Sequence, residues 1–488
     1  MRVYQPAPTS PPMRPERTQK MTDLLITGGT IITMDPTRRV IPNGAVAITA
    51  DRITAVGPAA DLPQTAQKII DAKGHAILPG LIDGHAHAGH GLVKTMAGGD
   101  SNAWSEACRV IYTTASPPSF WRAEARLAAL ERLMFGVTTG LSLLGGGDSV
   151  MRTDTPAHGD AHMQGVREIG IREIMAVGPT RPPHPRLYAD NGIETQITFE
   201  QQLETITALI ERWHNKDEGR LQVATLMPVY RKPGHGDIPL IERQGRAVRD
   251  LGRTHATLFH QDGHRAGSLD IAHRIFDLLG PDAIMSHCTD LTEADIEAVA
   301  ATQTKIVHNP SAIASVRGYC PVPTLLDRGI TVMLGSDGTA PDRSTDMFRH
   351  MFQCMRLHQR HHRDERLMPP GKLLEMVTID AAQALNQHHR IGSLEPGKQA
   401  DIITIDLRKP HLAPANMPVW RVACFANGQD VDTVIVDGRI LMHNRQVPHL
   451  DIPEILAAAE AETTQMLATT GLTPLLAEPP TLWGKARH

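Results

Sequence analysis

The stretch "LIDGHAHAGHGL", residues 81–92, sets two histidines either side of one alanine, directly after an apolar run. On a β-strand alternate side chains share a face, so His85 and His87 point together while Ala86 points away. The spacing offers two imidazoles to one object, for which a metal ion is the obvious candidate. Taken alone, the stretch suits a pair of solvated loop histidines equally well, because the chain carries 25 histidines. The rest of the sequence has to decide.

Outward from this stretch, apolar runs of strand length recur. They are "HAILPGLID" (75–83), "GVTTGLSLL" (136–144), "IREIMAVGP" (171–179), "LQVATLMPV" (221–229), "ATLFHQD" (256–262), "AIMSHCT" (283–289), "KIVHNPS" (305–311) and "ITVMLGSD" (330–337). Between most of them lie stretches such as "WRAEARLAALERLMF" and "TFEQQLETITALIERW", with apolar positions three and four apart, the helical period. Strands alternating with helices in this number fit an α/β fold, a (β/α)8 barrel, better than an open doubly wound sheet. No GxGxxG follows a strand, so a dinucleotide-binding fold has no support. The flanks differ. "DLLITGGTIITM" (23–34), "GAVAITADRITAVGP" (44–58), "ADIITIDL" (400–407) and "VDTVIVDGRILM" (431–442) alternate β-branched runs with glycine turns. They predict a small β domain built from both chain ends. The expected organisation is a disordered tail over 1–20, β-sandwich over 21–78, barrel over 79–392, β-sandwich again over 393–450, and a helical extension over 451–488.

The 488 residues carry 49 basic and 53 acidic side chains, a net charge of −4. That balance gives no electrostatic footprint for nucleic acid or an anionic membrane surface. No apolar stretch approaches the roughly 20 residues that span a bilayer. The first twenty residues, rich in proline and arginine, lack the apolar centre of a secretory signal. Five scattered cysteines without a CxxC pair suggest reduced thiols. The expectation is a cytoplasmic homo-oligomer acting on a small molecule, with neither nucleic acid nor membrane as partner.

Polar residues gather at the C-terminal ends of the expected strands, where barrel enzymes place their chemistry. His85 and His87 end the first, His260 the fifth, His287 the sixth, His308 the seventh and Asp337 the eighth. One strand-end histidine reads as an ordinary core or loop residue; five such strands are harder to dismiss. His85, His87, His260 and Asp337 would give three imidazoles and a carboxylate to one divalent ion, with a position left for water. That donor set suits zinc first, with iron, manganese or cobalt also possible. A bound ion brings the pKa of its water toward neutrality. Asp337 can take that water's proton and pass it to a leaving group, and His287 would polarise the substrate oxygen or shuttle protons without being a ligand.

"LPGLIDGHAHA", "FGVTT", the strand-five and strand-six histidines and "LGSDG" together resemble the amidohydrolase superfamily. Within it the chain is similar to the chlorohydrolase and aminohydrolase branch with cytosine-deaminase-like barrels. "DLLITGGTIITMD", "IGSLEPGKQADIITIDL" and "ANGQDVDTVIVDGRIL" are similar to the chain ends of such proteins, which form a composite β-sandwich beside the barrel. The resemblance covers about residues 21–445. It implies His85, His87, His260 and Asp337 as metal ligands and His287 as the active-site histidine.

Three departures from the family pattern bear on the chemistry. Binuclear members carry a carboxylated lysine on strand four; here that strand reads "VATLMPVY" and Lys232 lies just past it, which favours one metal. Ring deaminases of this branch show HxxE on strand five, the glutamate protonating a ring nitrogen. Here the run is "HQDGH", with Gly263 in the glutamate position and Asp262 or His264 as potential substitutes. After the "HNP" of strand seven, Ala312 and Ile313 replace a Ser-Asn pair, which favours a more apolar substrate. Trp104, Arg181, His264, His308 and Ile313 are the candidate substrate contacts. The leading expectation is hydrolysis of a C–N bond in a small amide-, urea- or carbamate-like molecule. Deamination or dechlorination of a heteroaromatic ring is the alternative, and a catalytically inactive barrel serving as a binding protein is a third.

Overall fold

The computed structural model describes residues 22–147, 150–190, 192–231, 236–478, 480, 482–484 and 486, so the expected tail and Lys232 lie outside the described residues. The chain opens with β1 (Leu24–Ile32), β2 (Val40–Thr49), β3 (Arg52–Pro58), β4 (Lys68–Asp71) and β5 (His75–Pro79). β1 pairs antiparallel with β2, while its two halves pair in parallel with β4 and then β5. One β-branched strand thus serves two neighbours along one edge.

The segment expected as the first barrel strand is in fact two strands joined at Gly80. β5 stays in the first sheet, and β6 (Leu81–His87) enters the barrel. A β-carbon on Gly80 would lie 2.1 Å from Thr138 Oγ1, so no larger residue fits the crossing. From β6 the barrel runs through β7 (Val137–Leu143) and β8 (Arg172–Val177). A two-stranded hairpin follows, β9 (Arg186–Asp190) with β10 (Ile193–Ile197). Barrel strands then continue as β11 (Leu221–Leu226), β12 (Phe259–Gln261), β13 (Ala283–Ser286), β14 (Lys305–His308) and β15 (Val332–Leu334). All neighbours are parallel and sequential around the barrel. Beyond β15 the Asp337 amide donates to the His85 carbonyl at 2.8 Å, bringing the last strand end against the first. This is the (β/α)8 architecture.

The chain then returns to the first sheet as β16 (Ile402–Asp406), β17 (Val431–Val436) and β18 (Arg439–Met442), giving the order β18-β17-β16-β5-β1-β2-β3. Ile26, Ile31, Val46, Ile48, Ile77, Ile402 and Ile435 form its apolar core. Arg172 of β8 ties this sheet to the barrel: it donates to Asp401 at 2.6 and 2.9 Å and also to Asp437.

A second buried charge cluster ties a helix to the barrel strands. Arg132, from the helix Pro118–Met134, donates to Asp83 Oδ2 at 3.0 and 3.2 Å and to Glu173 Oε2 at 3.1 Å. Asp83 in turn accepts from the Ser336 amide at 2.8 Å and the Ser336 hydroxyl at 2.7 Å. The residue two before His85 therefore holds the residue next to Asp337.

Candidate metal centre

His85 and His87 leave β6 on the same face, and their Nε2 atoms meet two carboxylates. His87 Nε2 lies 3.1 Å from Asp337 Oδ1 and 3.5 Å from Asp262 Oδ2. His85 Nε2 lies 3.4 Å from Asp262 Oδ1 and 3.7 Å from Asp337 Oδ1. From the loop after β13, His287 Nε2 completes the ring at 3.2 Å from Asp262 Oδ1 and 3.8 Å from Asp337 Oδ2. Donors held about 2.0–2.2 Å from one ion stand roughly 3.0–3.5 Å apart in octahedral or tetrahedral arrangements, close to these separations. His85 Nε2 is buried and makes no hydrogen bond, as expected of a nitrogen awaiting an electrophile.

The backbone is strained where the ring is built. His287 and Asp337 both take left-handed conformations, φ 65° and 61°, which bend their side chains back over the barrel mouth. Such strain gathers at functional sites. Electrostatics fit the same picture. Burial disfavours charge on His87, but Asp337 and Asp262 more than reverse it and raise the pKa to about 9. Burial lowers His85 to about 4 in the same ring. The Asp337 carboxyl, which burial pushes up, is held well below its usual range by Arg343, His87 and His287. Two carboxylates facing imidazoles make an anionic cradle for a cation.

His260 stands on β12, the fifth barrel strand, and packs against His85. Its Nε2 lies 3.0 Å from Nδ1 of His85, on the side away from the carboxylates. Asp262, two residues further on, has oxygens 3.4, 3.5 and 3.2 Å from Nε2 of His85, His87 and His287. The sequence already held this signal. Asp262 follows His260 by two, so it shares its face and stands one step nearer the barrel mouth. His87 is oriented by the Gly145 carbonyl, 2.9 Å from Nδ1.

The remaining candidates divide. Trp104 packs edge-on to His90 at 5.3 Å between ring centroids, and His90 stacks on His87 at 4.8 Å, so an aromatic wall reaches the ring. Arg181 donates to the Val229 carbonyl at 2.7 Å and lies over the Tyr230 ring, beyond the ends of β8 and β11. His264 is fully buried, with Nδ1 2.9 Å from the Ser268 hydroxyl. Ile313 is half-buried at the start of a short helix, Ile313–Val316. His308 is fully buried and groups with Cys354 and His358 of the helix Met347–His362, 5.3 Å between the two imidazole centroids.

The model of the Amidohydrolase family matches residues 76–441. The chain belongs to the amidohydrolase family. It is a hydrolase acting on carbon–nitrogen bonds. A second model, the bacterial Imidazolonepropionase-like composite domain, matches residues 44–66 in the first sheet. The chain is 32% identical to a 5-methylthioadenosine/S-adenosylhomocysteine deaminase of Syntrophobacter fumaroxidans, over 89% of this chain and 96% of that protein. It is 27% identical to a 5'-deoxyadenosine deaminase of Methanosarcina acetivorans, over 92% and 99%. Among solved structures, a zinc-bound adenosine deaminase from Xanthomonas campestris superposes with a TM-score of 0.79 at 21% identity, covering 92% of this chain and 99% of that one. A zinc complex of atrazine chlorohydrolase from Arthrobacter aurescens gives 0.75 at 21%, covering 90% and 100%. Both share the fold described above.

Proposed function

We propose that this amidohydrolase uses one divalent ion per chain to cleave the C–N bond of a small, uncharged amide-, urea- or carbamate-like molecule. His85, His87, Asp337 and a β12 side chain would hold the ion; zinc is the ion in the two solved relatives. When bound, such an ion acidifies a water molecule and polarises a carbonyl. Asp337 stands where it can accept the proton of the attacking water and deliver it to the departing nitrogen. His287 Nε2 faces the same space from the opposite side and can donate to the carbonyl oxygen as it gains charge. His90 and Trp104 present aromatic surface beside the ring, which suits an aryl or apolar substituent.

The observation that carries the choice of substrate class is at residues 262–263. Ring deamination needs an acid beside a ring nitrogen. Gly263 has no side chain, and its φ of 95° leaves little room for one. Asp262 is engaged: its Oδ1 accepts from the Ser286 hydroxyl at 2.5 Å and faces His287. A carbonyl substrate needs no such acid.

The named relatives favour a second reading, deamination of a purine-type ring. Comparing kcat/KM across anilides, phenylureas, carbamates, aminotriazines, aminopyrimidines and adenine nucleosides separates the two. Some aryl amide, urea or carbamate is expected to exceed every ring substrate at least tenfold, about 1.4 kcal/mol of transition-state binding. The reverse ranking refutes the first reading in favour of the second.

A further inference from the structure

We infer a second metal site, for a soft monovalent ion of the copper(I) type, held by Cys354, His358 and His308 behind Tyr319. It shares no residue with the ring at the barrel mouth. His308 ends β14, while Cys354 and His358 stand four residues apart on the helix Met347–His362 and so share a face. All three are fully buried, and one donor atom from each lies within 4.8 Å of the others. Donors on one ion stand roughly 3.5 Å apart, so the side chains need close by no more than about 1.3 Å on binding.

The donors are unclaimed. Neither nitrogen of His308 nor Nε2 of His358 finds a hydrogen-bond partner among the described residues, although all are buried. Nδ1 of His358 lies 3.0 Å from the Tyr319 hydroxyl, which lies 2.8 Å from Nε2 of His362. With His358 Nδ1–H donating to Tyr319, and the phenol donating to His362, the His358 lone pair is fixed on Nε2. A hydrogen bond of this kind behind a ligating imidazole sets its tautomer and orientation. Tyr319 is half-buried and its ring stacks on that of exposed His361, 3.6 Å between centroids, so imidazoles line the way in from the surface.

Charge selects the ion. Burial keeps both imidazoles neutral, His358 being lowered to about 4, and pushes the Cys354 thiol well above its usual range. Among the described residues, the groups that act on the three are other imidazoles and the Cys320 thiol, with no carboxylate. Binding must therefore displace the thiol proton: Cys354 and one Cu(I) form a thiolate–copper bond and release one proton. Two neutral imidazoles, one thiolate and one monovalent cation then sum to zero. A dication would leave a full positive charge buried with no carboxylate near it, a costly state. Thiolate is also the softest donor the chain offers and suits copper(I), whereas the carboxylate-rich ring suits a divalent ion. Protein prepared without copper should carry the ring's divalent ion alone.

Transfer of Cu(I) from its bicinchoninate complex, without oxygen, tests this on the full-length protein with its divalent ion in place. The wild type is expected to withdraw one Cu(I) per chain and to develop the near-ultraviolet absorption of a thiolate–copper bond. Cys354→Ser should lose that absorption, and both it and His358→Asn should bind Cu(I) more than about a hundredfold more weakly, beyond the loss that removing a merely supporting residue brings. Tyr319→Phe keeps all three donors and should cost about 10–100-fold, the range for a residue that orients a ligand. Cys320→Ser should keep both the absorption and the affinity, and an unchanged circular dichroism spectrum shows that each variant folds. A wild type that withdraws no Cu(I), a Cys354→Ser or His358→Asn that binds as the wild type does, or a Cys320→Ser that loses the absorption overturns the inference. Zn(II) that displaces Cu(I) from the site at equal free concentrations overturns it as well. No substrate enters the measurement, so its outcome is independent of the hydrolysis proposed above.

Discussion

Replacing Arg132 by methionine should destabilise the protein by about 3–5 kcal/mol at neutral pH, the range for removing one member of a buried ion cluster. The magnitude follows from what is left behind. Asp83 and Glu173 are both fully buried, and Arg132 supplies two hydrogen bonds to the first, one to the second and a fourth to the Ser142 hydroxyl at 2.9 Å. Methionine fills much of the volume but leaves two carboxylates without a cation. The loss should also depend on pH. Burial raises the Glu173 pKa, but Arg132 and His162 more than offset this, so the folded value lies below the unfolded one. Its contribution is therefore present above the unfolded pKa and lost as pH falls through the lower folded value. In the variant, burial dominates and Glu173 becomes a group whose charged form opposes folding. That penalty fades on protonation, so the gap between the two proteins should narrow as pH falls from about 7.5 toward about 5. Urea unfolding followed by tryptophan fluorescence measures it, since buried Trp121 lies on the same helix as Arg132. Adding Glu173→Gln to the variant should recover part of the loss. A loss below about 1 kcal/mol, or one independent of pH, would refute the reasoning.

Three further outcomes are expected. Asp337→Asn should lower kcat at least about hundredfold, as removal of a proton-transferring group does, read in steady-state kinetics on the best substrate of the panel. His287→Ala should lower kcat while elemental analysis still finds one ion per chain; loss of the ion would make His287 a ligand. Gly80→Ala should destabilise by about 1–3 kcal/mol in the same urea assay, because the new methyl collides with Thr138 at the junction of sheet and barrel.

Much of the barrel was legible because its strands are buried on both faces and read as continuous apolar runs, five of them closing on a histidine or aspartate. What was not legible depended on contacts distant in sequence. Arg132 sits 49 positions after Asp83 and 41 before Glu173, and nothing local marks it as buried. On a helix of mixed character it reads as one more solvated charge. Gly80 was hidden differently: "HAILPGLID" is unbroken in hydropathy, and only the approach of Thr138 shows that the chain changes sheets there. The β9–β10 hairpin is largely at the surface, with residues 193–196 exposed and Tyr188 buried, so it carries no continuous core pattern to announce it.

The metal centre teaches a sharper point. Two residues on one strand face were enough to read His85 and His87 correctly as neighbours. The same rule applied to "FHQDG" makes His260 and Asp262 neighbours too. β12 ends at Gln261, so His260 lies within the strand and Asp262 just past it. Position along the strand does not by itself choose between them, because His85 lies inside β6 and still faces the carboxylates. What brings Asp262 to the ring is distance: its oxygens lie 3.4, 3.5 and 3.2 Å from Nε2 of His85, His87 and His287, while His260 Nε2 meets Nδ1 of His85. A strand pattern gives the shared face; only the packing of several strand ends gives the separations.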